Sequence, residues 1–374
     1  MTELARADFA ALDAADALAP LRAEFLIPDG LVYLDGNSLG VLPKATPARV
    51  AQVVAHEWGE GLIRSWNSAG WIDLAQRIGD KIARLVGAGP GELVVADATS
   101  VNVYKALKAA LALRPTAPGS AILSERSNFP TDLYIADSVA REHGLTLKLV
   151  DADELAAQLD AGDVAILLLT HVNYRTGRLL EMAALTRAAH KAGALTVWDL
   201  AHSAGALPVD LTGADADFAV GCGYKYLNGG PGAPAFVWAH TRHTARMDAQ
   251  QLRQPLSGWL GHAAPFEFST DYRPALGVQR FVCGTPPVLS LAALECGLDV
   301  FGRAEAFGGI AALRRKSQAL TQRFIELVEA RCGGLALASP RDAAMRGSQV
   351  SFAHVEGYAI MQALIARNVI GDFR

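Results

Sequence analysis

The chain has 374 residues, of which 51% are apolar and 19% are charged, so a disordered or fibrous protein is excluded and about two globular domains are expected. Its net charge of -4 provides no basic excess for binding a nucleic-acid backbone, and any phosphate that it binds should belong to a small molecule. The sequence has no signal peptide and no membrane-spanning apolar run, which predicts a soluble cytoplasmic protein. Neither disulfides nor a metal site are expected, because no CxxC spacing occurs among Cys222, Cys283, Cys296 and Cys332.

The first part of the chain is predicted to hold two helices, with a strand and a tight loop between them. Leucines at helical spacing predict a helix within residues 4–19, and apolar periodicity predicts another at 43–62. Residues 31–34 are typical of a short strand that leads into the polar loop 35–40. Nearby tryptophans belong either to the core or to a pocket for a ring-shaped ligand: Trp58, Trp66 and Trp71.

From about residue 72, helices alternate with short apolar strands, which is the pattern of an α/β sheet. The strands lack polar alternation, as expected when helices cover both faces. Strands are predicted at 93–96, 121–123, 147–150, 164–169, 196–200, 234–239 and 349–352. Helices are predicted at 73–86, from 97–102 to about 113, after 124–132 to about 143, and at 288–302, 305–331 and 357–367.

The segment 250–287 is predicted to be irregular, and a loop of this length in a compact domain is usually functional. The elements that follow it indicate a second, smaller domain. We therefore predict a large domain at 61–287 and a small domain formed by 1–60 together with 288–374.

Lys225 is the residue most indicative of chemistry, because it lies in the glycine-flanked, tyrosine-rich stretch 221–230 after an apolar run. A lysine amine with a lowered pKa is a nucleophile for carbonyl groups, and an aldehyde cofactor is its natural partner. The alternative, favoured for a lysine without context, is a solvated side chain in a polar turn.

Polar residues at other strand ends are expected to meet Lys225 at one edge of the sheet. Asp199 ends a strand, where it could pair with a protonated ring nitrogen or serve as a cap or ion-pair partner. Thr99 and Ser100 begin a helix, where they could bind a phosphate or cap the helix. Phe129 could stack on a planar cofactor or pack in the core, and His202 could contact either the carboxylate or the cofactor. Together these residues indicate pyridoxal phosphate.

Five stretches resemble the kynureninases, a family in the class V aminotransferase branch of fold type I pyridoxal-phosphate enzymes. They are Tyr33-Leu-Asp-Gly-Asn-Ser-Leu-Gly40, Glu125-Arg-Ser-Asn-Phe-Pro-Thr-Asp132, Trp198-Asp-Leu-Ala-His202, Gly223-Tyr-Lys-Tyr-Leu-Asn228 and Thr285-Pro-Pro287. The resemblance implies the fold type I transferase fold: a large domain with a mainly parallel seven-stranded sheet covered by helices, and a smaller α+β domain that is incomplete at its C-terminus.

The resemblance also implies roles for individual residues. Lys225 would form the internal aldimine, Asp199 would pair with the pyridinium nitrogen, and Phe129 would stack on the ring. The phosphate contacts would be Thr99, Ser100 and Tyr224, and the cofactor shell would be completed by Asp132, Thr170 and His202. A homodimer is implied, with Trp259 and Thr285 reaching the phosphate of the partner subunit. Candidates for the substrate pocket are Ser38, Trp66, His262 and Thr285.

The implied activity is the hydrolysis of L-kynurenine, and possible use of 3-hydroxy-L-kynurenine, to anthranilate and L-alanine in tryptophan catabolism and NAD biosynthesis. It would proceed through an aldimine, a quinonoid and a ketimine, with cleavage of the Cβ–Cγ bond. Tyr224, beside both the lysine and the phosphate, is our hypothesis for a proton-shuttling hydroxyl, which a fully active Tyr224→Phe variant would contradict.

The chain departs from the resemblance at its end. Kynureninases continue past Gly-Asp-x-Arg with a proline-containing segment whose arginine grips the substrate α-carboxylate, whereas this chain stops at Arg374. We therefore expect normal cofactor binding but weak amino-acid binding, with Arg374 either a carboxylate ligand or a flexible terminal residue.

Two alternative functions remain open at this stage. One is another class V activity, either a transaminase or a cysteine desulfurase in which Cys332 would be the nucleophile, although the serine-rich loop expected around such a cysteine is absent. The other is a cofactor-binding dimer with impaired catalysis.

Overall fold

The centre of the molecule is one seven-stranded sheet, with strand order β4-β10-β9-β8-β7-β5-β6. The structure, a computed structural model, describes residues 6–114, 116 and 119–374. All neighbouring pairs in this sheet are parallel except those of β10, which runs antiparallel to β4 and β9. The strands are β4 (Leu93–Val95), β5 (Ala121–Glu125), β6 (Thr146–Val150), β7 (Val164–Thr170), β8 (Leu195–Asp199), β9 (Phe218–Gly221) and β10 (Phe236–Ala239). The predicted mainly parallel α/β sheet is confirmed.

The absence of polar alternation has the expected cause, since every residue of β4, β7, β9 and β10 is buried. Helices cover the sheet on both sides, and burial of each large aliphatic side chain contributes about 1.5–3 kcal/mol. The helices of this region are α4 (Leu74–Leu85), α5 (Thr99–Leu113), α6 (Pro130–Glu142), α7 (Leu155–Asp160), α8 (Met182–Lys191) and α9 (Thr241–Ala249). Helix α4 shows the separation of faces most clearly, because Leu74, Ile78 and Ile82 are buried along one side.

The remaining elements lie before and after the sheet region. The helices are α1 (Arg6–Ala14), α2 (Thr46–Gln52), α3 (Ser65–Ser68), α10 (Val288–Ala304), α11 (Gly309–Arg331) and α12 (Gly357–Ile365). The short strands are β1 (Phe25–Leu26), β2 (Val32–Tyr33), β3 (Leu42–Pro43), β11 (Ala336–Leu337), β12 (Phe352–Ala353) and β13 (Val369–Ile370). Short 3-10 turns occur at Ala19–Glu24, Leu62–Arg64, Ala152–Glu154, Glu305–Phe307 and Ala343–Met345.

Two predicted elements differ from the structure in ways that have a local cause. The helix predicted at 43–62 is α-helical only to Gln52 and continues as a wide π turn at Val53–Trp58. The hydroxyl of Ser65 donates to the Glu57 carbonyl at 2.5 Å, which removes that acceptor from regular helix pairing. The strand predicted at 349–352 begins only at Phe352, where the main chain pairs with β11.

The N-terminal and C-terminal segments are joined in the structure. Strand β2 pairs in parallel with β13. Leu18 and Leu21 form a small buried cluster with Ala304, at the end of α10. These contacts support a small domain made from both ends of the chain, but the proposed boundaries at 60/61 and 287/288 stay a prediction.

The segment between α9 and α10 is irregular, as predicted. Its ordered parts are 3-10 turns at Trp259–Gly261, Pro265–Glu267 and Gly277–Phe281. Lys105, which is fully buried on α5, anchors this segment by donating to the Phe281 carbonyl while it pairs with Asp97. The segment is thus tied to the loop that follows β4.

The described part of the chain contains no helix that is both long enough and apolar enough to cross a membrane.

Candidate active site

A cavity of about 730 Å³ opens at the carboxyl ends of the parallel strands. The loops that follow β4, β5, β7 and β8 converge there, as does the turn after β9. Most of the residues predicted to form the site line this cavity: Thr99, Ser100, Phe129, Asp132, Thr170, Asp199, His202, Tyr224, Lys225 and Thr285. Tertiary folding therefore brings together side chains that are spread over almost 190 positions of sequence.

Lys225 is buried in the wall of this cavity, with only 8% of its surface exposed. Its Nζ lies 2.8 Å from Nε2 of His202. The same nitrogen lies 5.8 Å from the ring centroids of both Phe129 and Tyr224. The alternative of a solvated lysine in a polar turn is therefore wrong.

The lysine turn is held by the polar loop that precedes β3. The amide of Gly40 donates to the Tyr224 carbonyl at 2.8 Å. A Cβ atom at Gly40 would lie 2.2 Å from the Lys225 carbonyl oxygen, so only glycine permits this approach of the two main chains. This contact explains why the loop at 35–40 and the lysine turn belong to one site.

Two buried carboxyl groups, Asp132 and Asp199, lie side by side next to Lys225. Burial raises the pKa of both, and the neighbouring Asp199 charge raises that of Asp132 further, well above its usual range. The Lys225 charge opposes the rise at Asp199, whose Oδ1 also accepts from the Ala201 amide at 2.8 Å. The pKa of Asp132 is thus raised more strongly than that of Asp199, which favours Asp199 as the member of the pair that meets a cation.

The N-terminus of α5 faces the cavity without a side-chain cap. Its N-cap residue is Ala98, and the buried Oγ1 of Thr99 has no hydrogen-bond partner. The capping alternative for Thr99 is thus not realised. A buried hydroxyl without a partner, beside free helix amides, is suited to an anionic ligand such as a phosphate.

Phe129 presents its ring to the cavity, with 37% of its surface exposed although the residue opens helix α6 next to the buried sheet. The ring of Tyr174 supports it edge-on, with centroids 5.2 Å apart and planes at 89°. A ring that is held from one side and open on the other is a stacking platform for a planar ligand. Core packing, the alternative for Phe129, does not account for this exposure.

The residues present fit pyridoxal phosphate. Lys225 supplies an amine for its aldehyde, Asp199 a carboxylate for its ring nitrogen, and Phe129 a face for its ring. The unpaired hydroxyl of Thr99 and the helix amides supply donors for its phosphate.

Some predicted site residues do not line the cavity of this chain. Trp259 packs edge-on against Trp66 and Phe266, with centroids 6.1 and 5.9 Å apart. His262 is buried against Tyr272, and its Nε2 lies 3.2 Å from the Asp271 carbonyl. Thr285, by contrast, does line this cavity, and the contact with the phosphate of the partner subunit that the resemblance implied for it stays a prediction.

The structure adds residues that the sequence did not single out. Asp97 and Cys283 line the cavity, and Asp97 could have been suspected from its position at a strand end. Gln349 contacts both His202 and the Tyr174 carbonyl. These residues are far apart in the sequence, so no local sequence pattern could have indicated the contacts.

Arg374 is held at the mouth of the site. Its guanidinium lies 5.3 Å from the Tyr174 ring centroid, donates to Ser38 Oγ at 3.0 Å and pairs with Asp372. Its charge lowers the pKa of Tyr226, against the larger effect of burial. The structure thus gives Arg374 defined contacts, but the choice between a carboxylate ligand and a flexible terminal residue stays open, and Ser38, a predicted pocket residue, is here a partner of Arg374.

The fold is that of pyridoxal-phosphate enzymes. The chain superposes on a cysteine desulfurase from Thermococcus onnurineus NA1 with a TM-score of 0.77 and 19% identity, covering 94% of this chain and 86% of that one. It superposes on a C-DES variant with glycine linked covalently to its PLP cofactor with a TM-score of 0.79 and 18% identity, covering 93% and 90%. At these identities the likeness shows the fold alone.

Sequence similarity is more specific. The chain is 55% identical to the kynureninase of Pseudomonas fluorescens over 99% of its own length and 88% of that protein's. It is 53% identical to the kynureninase of Burkholderia pseudomallei (strain K96243) over the same shares. Residues 313–374 match the kynureninase C-terminal domain. The chain belongs to the kynureninase family.

We expect the Thr99→Val variant to bind pyridoxal phosphate about tenfold or more weakly, because a charge-assisted hydrogen bond to the phosphate is lost. The cofactor-free variant should be as thermally stable as the parent, since the hydroxyl has no partner there. Equilibrium binding and thermal unfolding measure the two effects. Thr46→Val, which changes another buried hydroxyl away from the cavity, is the matched control; equal cofactor affinity in all three proteins would contradict the phosphate assignment.

Proposed function

We propose that this protein hydrolyses L-kynurenine to anthranilate and L-alanine with pyridoxal phosphate as its cofactor. The carrying observation is that a chain 55% identical to a kynureninase over 99% of its length places Lys225 in a cavity whose residues fit this cofactor. In the overall reaction, one water molecule is consumed and the bond between the β and γ carbons of the substrate breaks.

Pyridoxal phosphate, when bound, supplies an aldehyde that condenses with amines and a ring that accepts electrons from the substrate α-carbon. Asp199 would pair with the ring nitrogen and favour its protonated form. The open face of Phe129 would orient the ring, and the first turn of α5 with Thr99 would hold the phosphate. These are the assignments that the sequence predicted, and they stand as proposals.

Lys225 is proposed as the residue that moves the α-proton. With substrate bound, the free Nζ of Lys225 would lie at the cavity wall, within hydrogen-bond reach of His202. Tyr224 lies beside it, and burial raises the pKa of the phenol to about 12, so the hydroxyl keeps its proton at neutral pH. The position of this hydroxyl-bearing ring beside Lys225 supports Tyr224 as a candidate proton shuttle.

The structure supports a substrate-binding role for Arg374, in place of the weak amino-acid binding expected from the sequence. A guanidinium at the mouth of the cavity, next to Ser38 and above Tyr174, can bind a carboxylate through two parallel hydrogen bonds. We propose that Arg374 receives the substrate α-carboxylate.

We further propose a homodimer in which Trp259 of one subunit contributes to the site of the other. Trp259 does not line its own cavity, and it leads into an aromatic surface in which Phe266 and Phe268 are 62% and 78% exposed. Such a surface is typical of an interface. Sedimentation that found only monomers in an active preparation would contradict this proposal.

We also propose a cytoplasmic location. It is supported by four cysteines that are all unpaired, and cell fractionation tests it.

The desulfurase alternative is not favoured. Cys332 is exposed at the end of α11 and does not line the cavity. A transaminase would leave amine on the cofactor and release no anthranilate, so product analysis separates it from the proposed hydrolase.

The first test is direct. The holoenzyme should absorb visible light, lose that absorbance with borohydride, and release fluorescent anthranilate from L-kynurenine. Lys225→Ala should reduce turnover by at least about 10³-fold because the proton-transferring nucleophile is absent. Assaying 3-hydroxy-L-kynurenine in parallel decides between the two substrates. Visible absorbance without anthranilate release would overturn the proposed function.

Arg374→Gln should raise KM for L-kynurenine about 10- to 100-fold, because a bidentate ion pair with the carboxylate is lost. Its affinity for pyridoxal phosphate should not change. Arg367→Gln is the matched control, since that arginine lies in the same segment and its Nη1 donates only to the Ala363 carbonyl. An unchanged KM in Arg374→Gln would refute the assignment of the carboxylate ligand.

A further inference from the structure

A chain of three hydrogen bonds runs from the main chain of the large domain to the lysine amine. The Gln349 amide nitrogen donates to the Tyr174 carbonyl at 2.8 Å. Gln349 Oε1 lies 3.2 Å from His202 Nδ1, and His202 Nε2 lies 2.8 Å from Lys225 Nζ. Gln349 belongs to the C-terminal segment, so this chain connects that segment to the centre of the site.

The donor and the acceptor of each hydrogen bond can be assigned in turn, starting from the Tyr174 carbonyl. A main-chain carbonyl only accepts, so the Gln349 amide must turn its nitrogen to Tyr174 and its oxygen to His202. An amide oxygen only accepts as well, so Nδ1 of His202 must carry a proton. In a neutral imidazole the other nitrogen is then bare, and Nε2 accepts a hydrogen bond from Lys225.

His202 is suited to remain neutral at this position. Only 2% of its surface is exposed, and burial lowers its pKa well below the usual range, with further lowering by the charges of Lys225 and Arg374. A charged imidazole would place a second N–H against the lysine. The other titratable and charged groups around the lysine are Asp132, Asp199, Cys222, Tyr224 and Arg374.

We propose that Gln349 is a positioning residue for Lys225: it fixes the His202 tautomer in which Nε2 accepts from the lysine amine. The lysine nitrogen is thereby held at the cavity wall by an acceptor, and His202 presents no N–H to it. This inference rests on the proposed role of Lys225 as the reacting amine.

Packing of the C-terminal segment against the large domain is thereby linked to the reactivity of Lys225. Gln349 binds the Tyr174 carbonyl, and Arg374 of the same segment lies over the Tyr174 ring. Only when this segment is in place does His202 receive its acceptor at Nδ1. The simpler possibility is that Gln349 merely tethers the segment to the turn at 172–178, and the experiment is designed to separate the two.

The first measurement reads the tautomer itself, in cofactor-free protein labelled with nitrogen-15 in histidine. The His202→Asn variant identifies the His202 signals. We expect protonated Nδ1 and bare Nε2 in the parent protein and in Gln349→Glu, which keeps the acceptor. In Gln349→Leu, Nε2 should gain the proton. Protonated Nε2 in the parent protein would overturn the proposal, whatever the variants do.

The second measurement is the rate at which pyridoxal phosphate associates with the cofactor-free protein, between pH 5 and 9. Gln349→Leu should associate about tenfold more slowly across the range, because the lysine loses its acceptor. Gln349→Glu should approach the parent rate at high pH. A carboxylate at Nδ1 raises the pKa of His202. As the pH is lowered, the association rate of Gln349→Glu should therefore begin to fall about one pH unit or more above the pH at which the parent rate falls.

Gln318→Leu is the matched control, because the Gln318 amide donates to the Ala343 carbonyl at 3.1 Å within the same segment and away from the cavity. It should retain the parent rate and pH profile. If Gln349→Leu and Gln349→Glu slowed equally with an unchanged pH profile, the tether alone would explain the contact and the proposal would fail. The tautomer measurement uses no turnover, so it stands apart from any failure of the proposed hydrolase activity.

Discussion

The structure depends on a cluster of ionisable groups buried at the carboxyl edge of an apolar sheet. Lys225, Asp199 and Asp132 would each be costly to bury alone, and the Lys225 charge offsets part of the cost of burying the two carboxyl groups. The sheet can hold them only at its edge, where strand ends leave polar main-chain groups and the side chains can converge. A cationic ring nitrogen offers Asp199 a partner of matching charge, so the cluster is already prepared for the cofactor.

The second constraint is the closure of this edge by distant parts of the chain. Gly40 allows the N-terminal loop to approach the lysine turn, and Lys105 of α5 ties the irregular segment before α10 to the loop that precedes this helix. The C-terminal segment contributes Gln349, which binds the Tyr174 carbonyl, and Arg374, which lies over the Tyr174 ring. The site is thus assembled from both proposed domains, and its geometry depends on how these domains pack together.

Much of the fold could be predicted because the strands of a doubly covered sheet must be apolar throughout. The strands at 121–125, 146–150 and 164–170 were recognisable from apolar runs bounded by polar loops. The π turn at Val53–Trp58 was not, because its widened main-chain hydrogen bonds, such as that from the Gly59 amide to the Val54 carbonyl, leave no signal in the apolar pattern. Two-residue strands such as Val369–Ile370 were not recognisable either, since their pairing partner lies at the other end of the chain.

The sequence by itself determined the chemistry: an aspartate at a strand end, a lysine in a tyrosine-flanked turn and the family motifs around them were sufficient to indicate pyridoxal phosphate. Tertiary structure decided which of the remaining candidates join them. In the folded chain, Trp259 and His262 do not line the cavity, whereas Arg374 lies at its mouth. It also set the tautomer of His202 through Gln349. Motifs record residue types that must be adjacent in sequence, whereas a hydrogen bond between residues 147 positions apart exists only once the chain has folded.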